Sequence, residues 1–115
     1  RRFLRAAVAD SAPIFIQPRG TAPEDVIEGR ILNVSPDGVA CRVPREAADQ
    51  HTIGDSMGVT FSIGVMAEPL RFDATIVSKT PGGTRGMVIV GMSFGESAAF
   101  AAERERLAAA LRAFV

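Results

Sequence analysis

Large aromatic side chains, cysteine and histidine are scarce in this sequence. Its 115 residues include no tryptophan or tyrosine, one cysteine and one histidine. The lone Cys41 cannot close an internal disulfide, which fits a reducing compartment, so a cytoplasmic location is predicted. Because Val39 and Val43 share its face in an extended chain, we interpret Cys41 as a small buried hydrophobe. Metal-ligand spacings are absent, so neither a metal nor a cofactor is predicted.

The single histidine, His51, shows no sign of catalysis. Its neighbours Gln50 and Thr52 are typical of a loop, and neither a cysteine nor paired carboxylates accompany it. Acid–base or nucleophilic chemistry needs partner groups within hydrogen-bonding reach. We therefore interpret His51 as a surface residue and predict that the domain is not an enzyme.

Net charge and long apolar runs are also missing. Thirteen Lys and Arg balance thirteen Asp and Glu, so the formal net charge is zero. A neutral chain is not drawn to nucleic acid or to a membrane by its overall field, and an oligonucleotide-binding barrel would need a basic groove with exposed aromatics. No apolar run approaches the roughly 20 residues of a membrane span. Neither nucleic-acid binding nor membrane insertion is predicted, and the absence of an initial Met indicates a fragment of a longer protein.

Short stretches of alternating apolar and polar residues dominate the chain. Its length predicts one domain, residues 1–115, with one core. Val59, Phe61 and Ile63, for example, alternate with polar or small residues, as in a half-buried strand. Six such stretches are separated by turn signals such as Pro81-Gly82-Gly83, which favours a closed or nearly closed barrel over residues 12–94. The predicted strands are Ile14–Ile16, Val26–Ser35, Val39–Val43, Gly58–Val65, Leu70–Ile76 and Met87–Phe94.

The end of the chain, residues 97–115, has a helical period instead. Phe100, Leu107, Leu111 and Phe114 fall on one narrow stripe at 100° per residue, and alanines and charges occupy the rest of the circle. Ser97 is a suitable N-cap. The stripe predicts packing on the barrel, with a homodimer contact as the alternative, so both a monomer and a homodimer stay open.

The segment Asn33-Val34-Ser35-Pro36-Asp37-Gly38 joins two predicted strands. Residues two apart in an extended chain point the same way, so Asn33 and Ser35 share a face. Pro36-Asp37-Gly38 supplies turn chemistry. On these residues alone the segment is a β-turn, with Gly38 at a positive φ.

An arm of residues 1–10 precedes the first strand and begins Arg1-Arg2-Phe3-Leu4-Arg5. In an extended arm Arg1 and Arg5 lie on one side and Arg2 on the other. Three terminal arginines by themselves are typical of a solvated, mobile tail.

Together, Arg-x-x-x-Arg and a later Asn-x-Ser-x-x-Gly resemble the PilZ domain, the bacterial receptor module for cyclic di-GMP. Val90-Gly91-Met92-Ser93-Phe94 is also similar to the last strand of that family, which commonly has Gly-x-x-Phe. The resemblance spans nearly the whole chain. It implies an all-β fold with a C-terminal helix, a six-stranded antiparallel PilZ-type barrel. It also implies a site for cyclic di-GMP formed by Arg1, Arg5, Asn33, Ser35 and Gly38.

These residue types suit a cyclic dinucleotide. A guanidinium meets guanine O6 and N7 bidentately, and it can also stack on a base or grip a phosphate. Asn33 and Ser35 offer an amide and a hydroxyl to a base edge or a phosphate oxygen, and Gly38 lets the ligand approach the backbone. The family allows Asp or Asn at the first motif position. Asn33 has one acceptor oxygen fewer for guanine's two N–H donors, so weaker affinity is expected.

The resemblance implies a switch that performs no chemistry. The arm is expected to be mobile when empty and to fold over the barrel when cyclic di-GMP binds, which would carry a signal to an attached domain or a protein partner. Motility, exopolysaccharide synthesis and virulence are the outputs that this implies. The alternative is a PilZ-like module that docks a protein and binds no nucleotide, and a binding assay separates the two.

Overall fold

The structure, a computed structural model, describes residues 6–7, 12–20, 22–64, 68–83, 85–95 and 98–112. Its strands are β1 Ala6–Ala7, β2 Pro13–Pro18, β3 Ile27–Ser35, β4 Gly38–Pro44, β5 Ser56–Phe61, β6 Leu70–Pro81 and β7 Met87–Phe94. Its helices are α1 Arg45–Ala48 and α2 Ala101–Arg112, with 3-10 turns at Pro23–Asp25 and Ala98–Phe100.

The sheet closes into a barrel. Its pairing order is β3-β2-β5-β6-β7-β4, and β4 pairs back with β3, every pair being antiparallel. The two-residue β1 is added to β3 outside this ring. The predicted six-stranded antiparallel barrel with a C-terminal helix is therefore confirmed.

Several predicted boundaries differ from those of the structure. β6 continues to Pro81, five residues past the predicted end at Ile76, because a bulge lets it keep pairing with β7. Within the predicted segment 97–115, the structure describes a 3-10 turn at Ala98–Phe100 followed by the helix Ala101–Arg112. Ser97 and Phe114 lie outside the described residues, so the predicted N-cap and the end of the apolar stripe are not part of this structure.

The barrel interior is filled by the alternate residues of its strands. Phe61, Phe72 and Phe94 stack there, with 4.1 Å between the ring centroids of Phe72 and Phe94. Phe100 lies 6.2 Å from Phe72, centroid to centroid, at the start of the C-terminal segment. One aromatic cluster thus connects three strands to the chain that leads into α2.

Each end of the barrel is covered by a helix. At one end α2 buries Leu107 and Leu111 completely, and Arg106 Nη2 donates to the carbonyl of Glu68 at 2.6 Å. At the other end Lys79 Nζ donates to the carbonyls of Ala48 and His51 at 2.9 and 2.8 Å, which satisfies carbonyls at the end of α1. Neither helix among the described residues is long and apolar enough to cross a membrane.

Cys41 is expected to resist thiol reagents while the domain is folded. Its side chain is 0% exposed, and burial raises the pKa of the thiol to about 12. The thiolate, which is the reactive form, is then scarce at about pH 8. Labelling with a disulfide reagent should be slow in native buffer and complete within minutes in denaturant. Equal labelling rates in the two conditions would contradict the burial.

Candidate functional site

The three barrel residues of the predicted site lie on one hairpin. Asn33 and Ser35 end β3, Gly38 begins β4, and Pro36-Asp37 forms the turn between them. The hairpin register pairs Asn33 with Ala40 and Ser35 with Gly38. The structure therefore brings these three residues together on one part of the barrel wall.

A β-bulge sets which side chains of this hairpin point outward. Ile31 pairs with Cys41 and Asn33 pairs with Ala40, so Leu32 is an extra residue in β3. The extra residue shifts the alternation, and Ile31 and Val34 are both buried in the core although they are three positions apart. Asn33 is half-buried on the outer side as a result. The bulge was not predicted.

Ser35 is held by Asp37, which the sequence predicts only as a turn residue. It is the one polar side chain among the described residues that is fully buried. Buried hydroxyl groups need hydrogen-bond partners, and Ser35 Oγ donates to Asp37 Oδ1. The main-chain carbonyl of Asp37 accepts from Phe94 N at 3.0 Å. Asp37 therefore fixes the orientation of the Ser35 hydroxyl and anchors the turn to β7.

The backbone of Gly38 does not have the positive φ expected from its turn context; the described glycines in that region are Gly20, Gly54, Gly64, Gly83 and Gly86. Gly38 is instead in β4, opposite Ser93 of β7. A Cβ built on it would lie 2.5 Å from the main-chain oxygen of Met92. The close approach of β7 explains the glycine in physical terms, and its contact with a ligand stays a prediction.

We expect Gly38→Ala to lower the free energy of unfolding by about 1–3 kcal/mol, because the methyl group forces β4 and β7 apart. Gly58→Ala is the matched control, since a Cβ at Gly58 would lie 3.9 Å from its nearest neighbour, the Gln17 oxygen. Urea unfolding of both variants measures the difference. Equal stabilities of the two variants would show that the contact with Met92 is easily relieved.

The N-terminal arm reaches this hairpin through β1. Ala6 pairs with Val34 and Ala7 with Asn33. The arm was predicted to be extended and to be mobile without ligand, and β1 was not predicted. Arg1 and Arg5 lie outside the described residues, so no structural statement about their side chains follows.

The outer wall beside the hairpin carries small side chains. Since Val39, Cys41, Val90 and Met92 point into the core, the residues between them point outward. Cross-strand pairing places Ala40 of β4 between Asn33 of β3 and Gly91 of β7. The next row along the strands consists of Ser35, Gly38 and Ser93. Of these residues Ser35 and Gly38 are buried and Ser93 is exposed.

The single histidine, His51, lies away from this hairpin, beside Asp55. His51 Nδ1 lies 3.6 Å from Asp55 Oδ2, and the backbone N–H of Thr52 also donates to Asp55 Oδ2, at 3.0 Å. The hydrogen bond from Thr52 is the main reason that the pKa of Asp55 is lowered. No group of three or more metal-ligating side chains occurs within the described parts of the chain.

Comparison with known proteins decides the family. The sequence profile of the PilZ domain matches residues 1–113. The chain belongs to the PilZ family. A search of curated protein sequences found no match to this PilZ domain.

Solved structures share the fold of this PilZ domain. The inhibitor of motility MotI/DgrA of Bacillus subtilis matches with a TM-score of 0.73 and 16% identity, over 99% of this chain and 48% of that one. The PilZ domain of YcgR from Escherichia coli with c-di-GMP matches with a TM-score of 0.68 and 19% identity, over 98% of this chain and 92% of that one. YcgR from Escherichia coli in complex with c-di-GMP matches with a TM-score of 0.70 and 14% identity, over 98% of this chain and 46% of that one. At these identities the likeness establishes the fold, and the chain spans about half the length of MotI/DgrA and of YcgR.

Proposed function

We propose that this PilZ domain is a receptor for cyclic di-GMP, bound between its N-terminal arm and the β3–β4 hairpin. The observation that carries the proposal is the pairing of Ala6 and Ala7 with Val34 and Asn33. This pairing places the arm beside the hairpin, although the two are far apart in sequence. The ligand itself is supported by family membership and by the E. coli YcgR structures that contain c-di-GMP.

The division of labour follows from the chemistry of each residue. Arg5, one peptide bond from β1, supplies a guanidinium fork for guanine O6 and N7 or for a phosphate. Arg1, on the same side of an extended arm as Arg5, closes on the same ligand. Asn33, half-buried on the outer wall, meets the N–H edge of a guanine.

Ser35 acts together with Asp37. Because the Ser35 hydroxyl is fully buried and donates to the Asp37 carboxylate, its direction is already fixed, and its oxygen would accept from a guanine N–H only once the residues that cover it move. Preorganisation of this kind lowers the entropy cost of binding. Asp37 is therefore a positioning residue in the proposed site, and it was not among the predicted ligand residues.

The signal would leave the site through the arm. Ligand binding fixes Arg1 and Arg5 against the barrel wall, which changes the arm's path relative to whatever precedes it in the whole protein or docks beside it. A ligand shifts the equilibrium between a free and a docked arm only through contacts that it makes in one state and not in the other. Here those contacts are the ones made by Arg1 and Arg5. An attached domain or a protein partner is the proposed recipient.

Isothermal titration calorimetry of residues 1–115 at low salt tests the proposal, with cyclic di-AMP as the control ligand. Cyclic di-GMP should bind, and cyclic di-AMP should bind far more weakly because adenine lacks the O6 acceptor and the N1–H donor of guanine. The absence of heat with cyclic di-GMP, confirmed by an unchanged melting temperature, would refute nucleotide binding. The protein-docking module would then be the better description.

A further inference from the structure

The outward side chains of β5 are short. Because Met57, Val59 and Phe61 are buried in the core, the residues between them, Gly58 and Thr60, point away from it. A Cβ on Gly58 would meet no atom closer than 3.9 Å, so the space above it is open. β5 lies three strands from β4 in both directions around the closed sheet, so this part of the wall is remote from the β3–β4 hairpin.

Longer side chains flank β5 on both neighbouring strands. The register from β2 across β5 to β6 gives two outward rows, Phe15-Thr60-Arg71 and Gln17-Gly58-Asp73. The side chain of Asp73 contacts that of Arg19, which follows β2. This ion pair spans β5, so the side chains of the two flanking strands meet above it and do not splay apart. We call the resulting depression, with Gly58 and Thr60 as its floor, the β5 trough.

One half of the β5 trough is apolar. It is lined by the six residues Pro13, Phe15, Thr60, Phe61, Ser62 and Pro69. Phe15 is 42% exposed although it is a large aromatic residue. Its ring and the rings of the two prolines are rigid apolar groups around a floor of short side chains. Such a pocket accepts an aliphatic or aromatic side chain.

The other half of the β5 trough carries a positive charge. Its lining includes Gly58, Thr60, Arg71, Asp73 and Phe100. Asp73 already pairs with Arg19. Arg71 is exposed and takes part in none of the hydrogen bonds and ion pairs among the residues that the structure describes. A guanidinium without a counter-charge is complementary to a carboxylate.

The dimensions of the β5 trough suit an extended chain. Two strand spacings, roughly 10 Å, separate the backbones of its walls, whereas a helix with its side chains is about 10–12 Å across. The apolar and the charged halves share Thr60. They are one row apart, roughly 7 Å, which is the spacing of alternate residues in a strand.

We propose that the β5 trough binds an extended segment of a protein partner in which an apolar residue and an Asp or Glu stand two positions apart. Side chains at that spacing point the same way in an extended chain. The apolar one enters the pocket beside Phe15, and the carboxylate pairs with Arg71. Both edges of β5 are already paired with β2 and β6, so the segment lies on the face of the sheet and does not join it as a strand.

Selection of a phage-displayed library of random peptides on residues 1–115 tests this proposal. The enriched peptides should share the apolar and acidic residues two positions apart. One of them is then titrated by fluorescence anisotropy, and Phe15→Ala and Arg71→Ala should each raise its Kd by about tenfold. The matched controls are Val77→Ala, which changes a 53% exposed residue at the bulge of β6, and Arg85→Ala, which changes an exposed residue before β7. Both should leave the Kd within about twofold.

A peptide in which an amide replaces the acid completes a double-mutant cycle. It should bind the wild type more weakly and should bind Arg71→Ala no more weakly than the acidic peptide does. This result, at equal melting temperatures of the variants, supports the β5 trough as a docking site whether or not the domain binds a nucleotide. Failure to enrich the pattern, or equal losses in Phe15→Ala and Val77→Ala, overturns the proposal. Self-association of the wild type that Phe15→Ala abolishes would also overturn it, because the trough would then be a contact between copies of this chain.

Discussion

Arg5→Ala is expected to weaken cyclic di-GMP binding by about 100-fold. Two charge-assisted hydrogen bonds from one guanidinium fork are lost, at a cost of roughly 3 kcal/mol. Arg5→Lys should recover little of this, because an ammonium keeps the charge and lacks the fork. Calorimetry on the three proteins at one salt concentration measures the effect, and the comparison with lysine separates geometry from charge.

Arg71→Ala is the matched control for the loss of a positive charge. Arg71 is an exposed strand residue of β6 that pairs with Thr60 of β5, on another part of the barrel wall. Its removal should change the Kd for cyclic di-GMP by less than about threefold, because dissolved salt screens the interaction between an exposed charge and a distant ligand. Equal losses in Arg5→Ala and Arg71→Ala would mean that binding follows overall charge, and the proposed fork would have to be abandoned.

Phe72→Ala should be the most destabilising single change in the barrel, at about 3–5 kcal/mol. The ring is 2% exposed and stacks on Phe61 at 6.2 Å and on Phe94 at 4.1 Å between centroids. Its loss leaves a cavity where two strands meet the segment that leads into α2. Urea unfolding measures the change.

Two further variants keep that experiment interpretable. If Phe72→Ala does not fold, Phe72→Leu should still unfold cooperatively with a loss of about 1–2 kcal/mol. Phe15→Ala removes a phenylalanine that is 42% exposed on the outer side of β2 and should cost less than about 1 kcal/mol. Comparable losses in Phe15→Ala and Phe72→Ala would contradict the aromatic cluster as the centre of the core.

The barrel could be predicted from the sequence because alternation is a local signal. Val59 and Phe61 in β5, like Phe72 and Ala74 in β6, repeat every second residue, and such positions are the buried ones in the structure. The bulges at Leu32 and Val77 could not be predicted in this way. A bulge is defined by the neighbouring strand, which has no residue opposite the extra one, and local alternation carries no information about that neighbour.

The proposed site could be predicted only through the motif of a family. Asn33, Ser35 and Gly38 were recognised by their spacing. The tie of Asp37 to Phe94 and the approach of Met92 to Gly38 come from β7, so no local pattern reports them. β1 was missed because two alanines have neither the length nor the alternation of a strand. Its existence depends on the unoccupied side of β3.

β3 is also the place where one copy of the chain could take hold of another. Among the described residues, β2 pairs with the side of β3 away from β4 through Arg30, Ile31 N donates to the Ala12 carbonyl, and the two alanines of β1 pair with Val34 and Asn33. A strand edge accepts any extended backbone that fits, and the arm of a second copy fits as well as the chain's own. Two molecules that exchanged their arms would form a domain-swapped dimer. Self-association at high protein concentration and binding at the proposed nucleotide site would then compete for the same few backbone groups of β3.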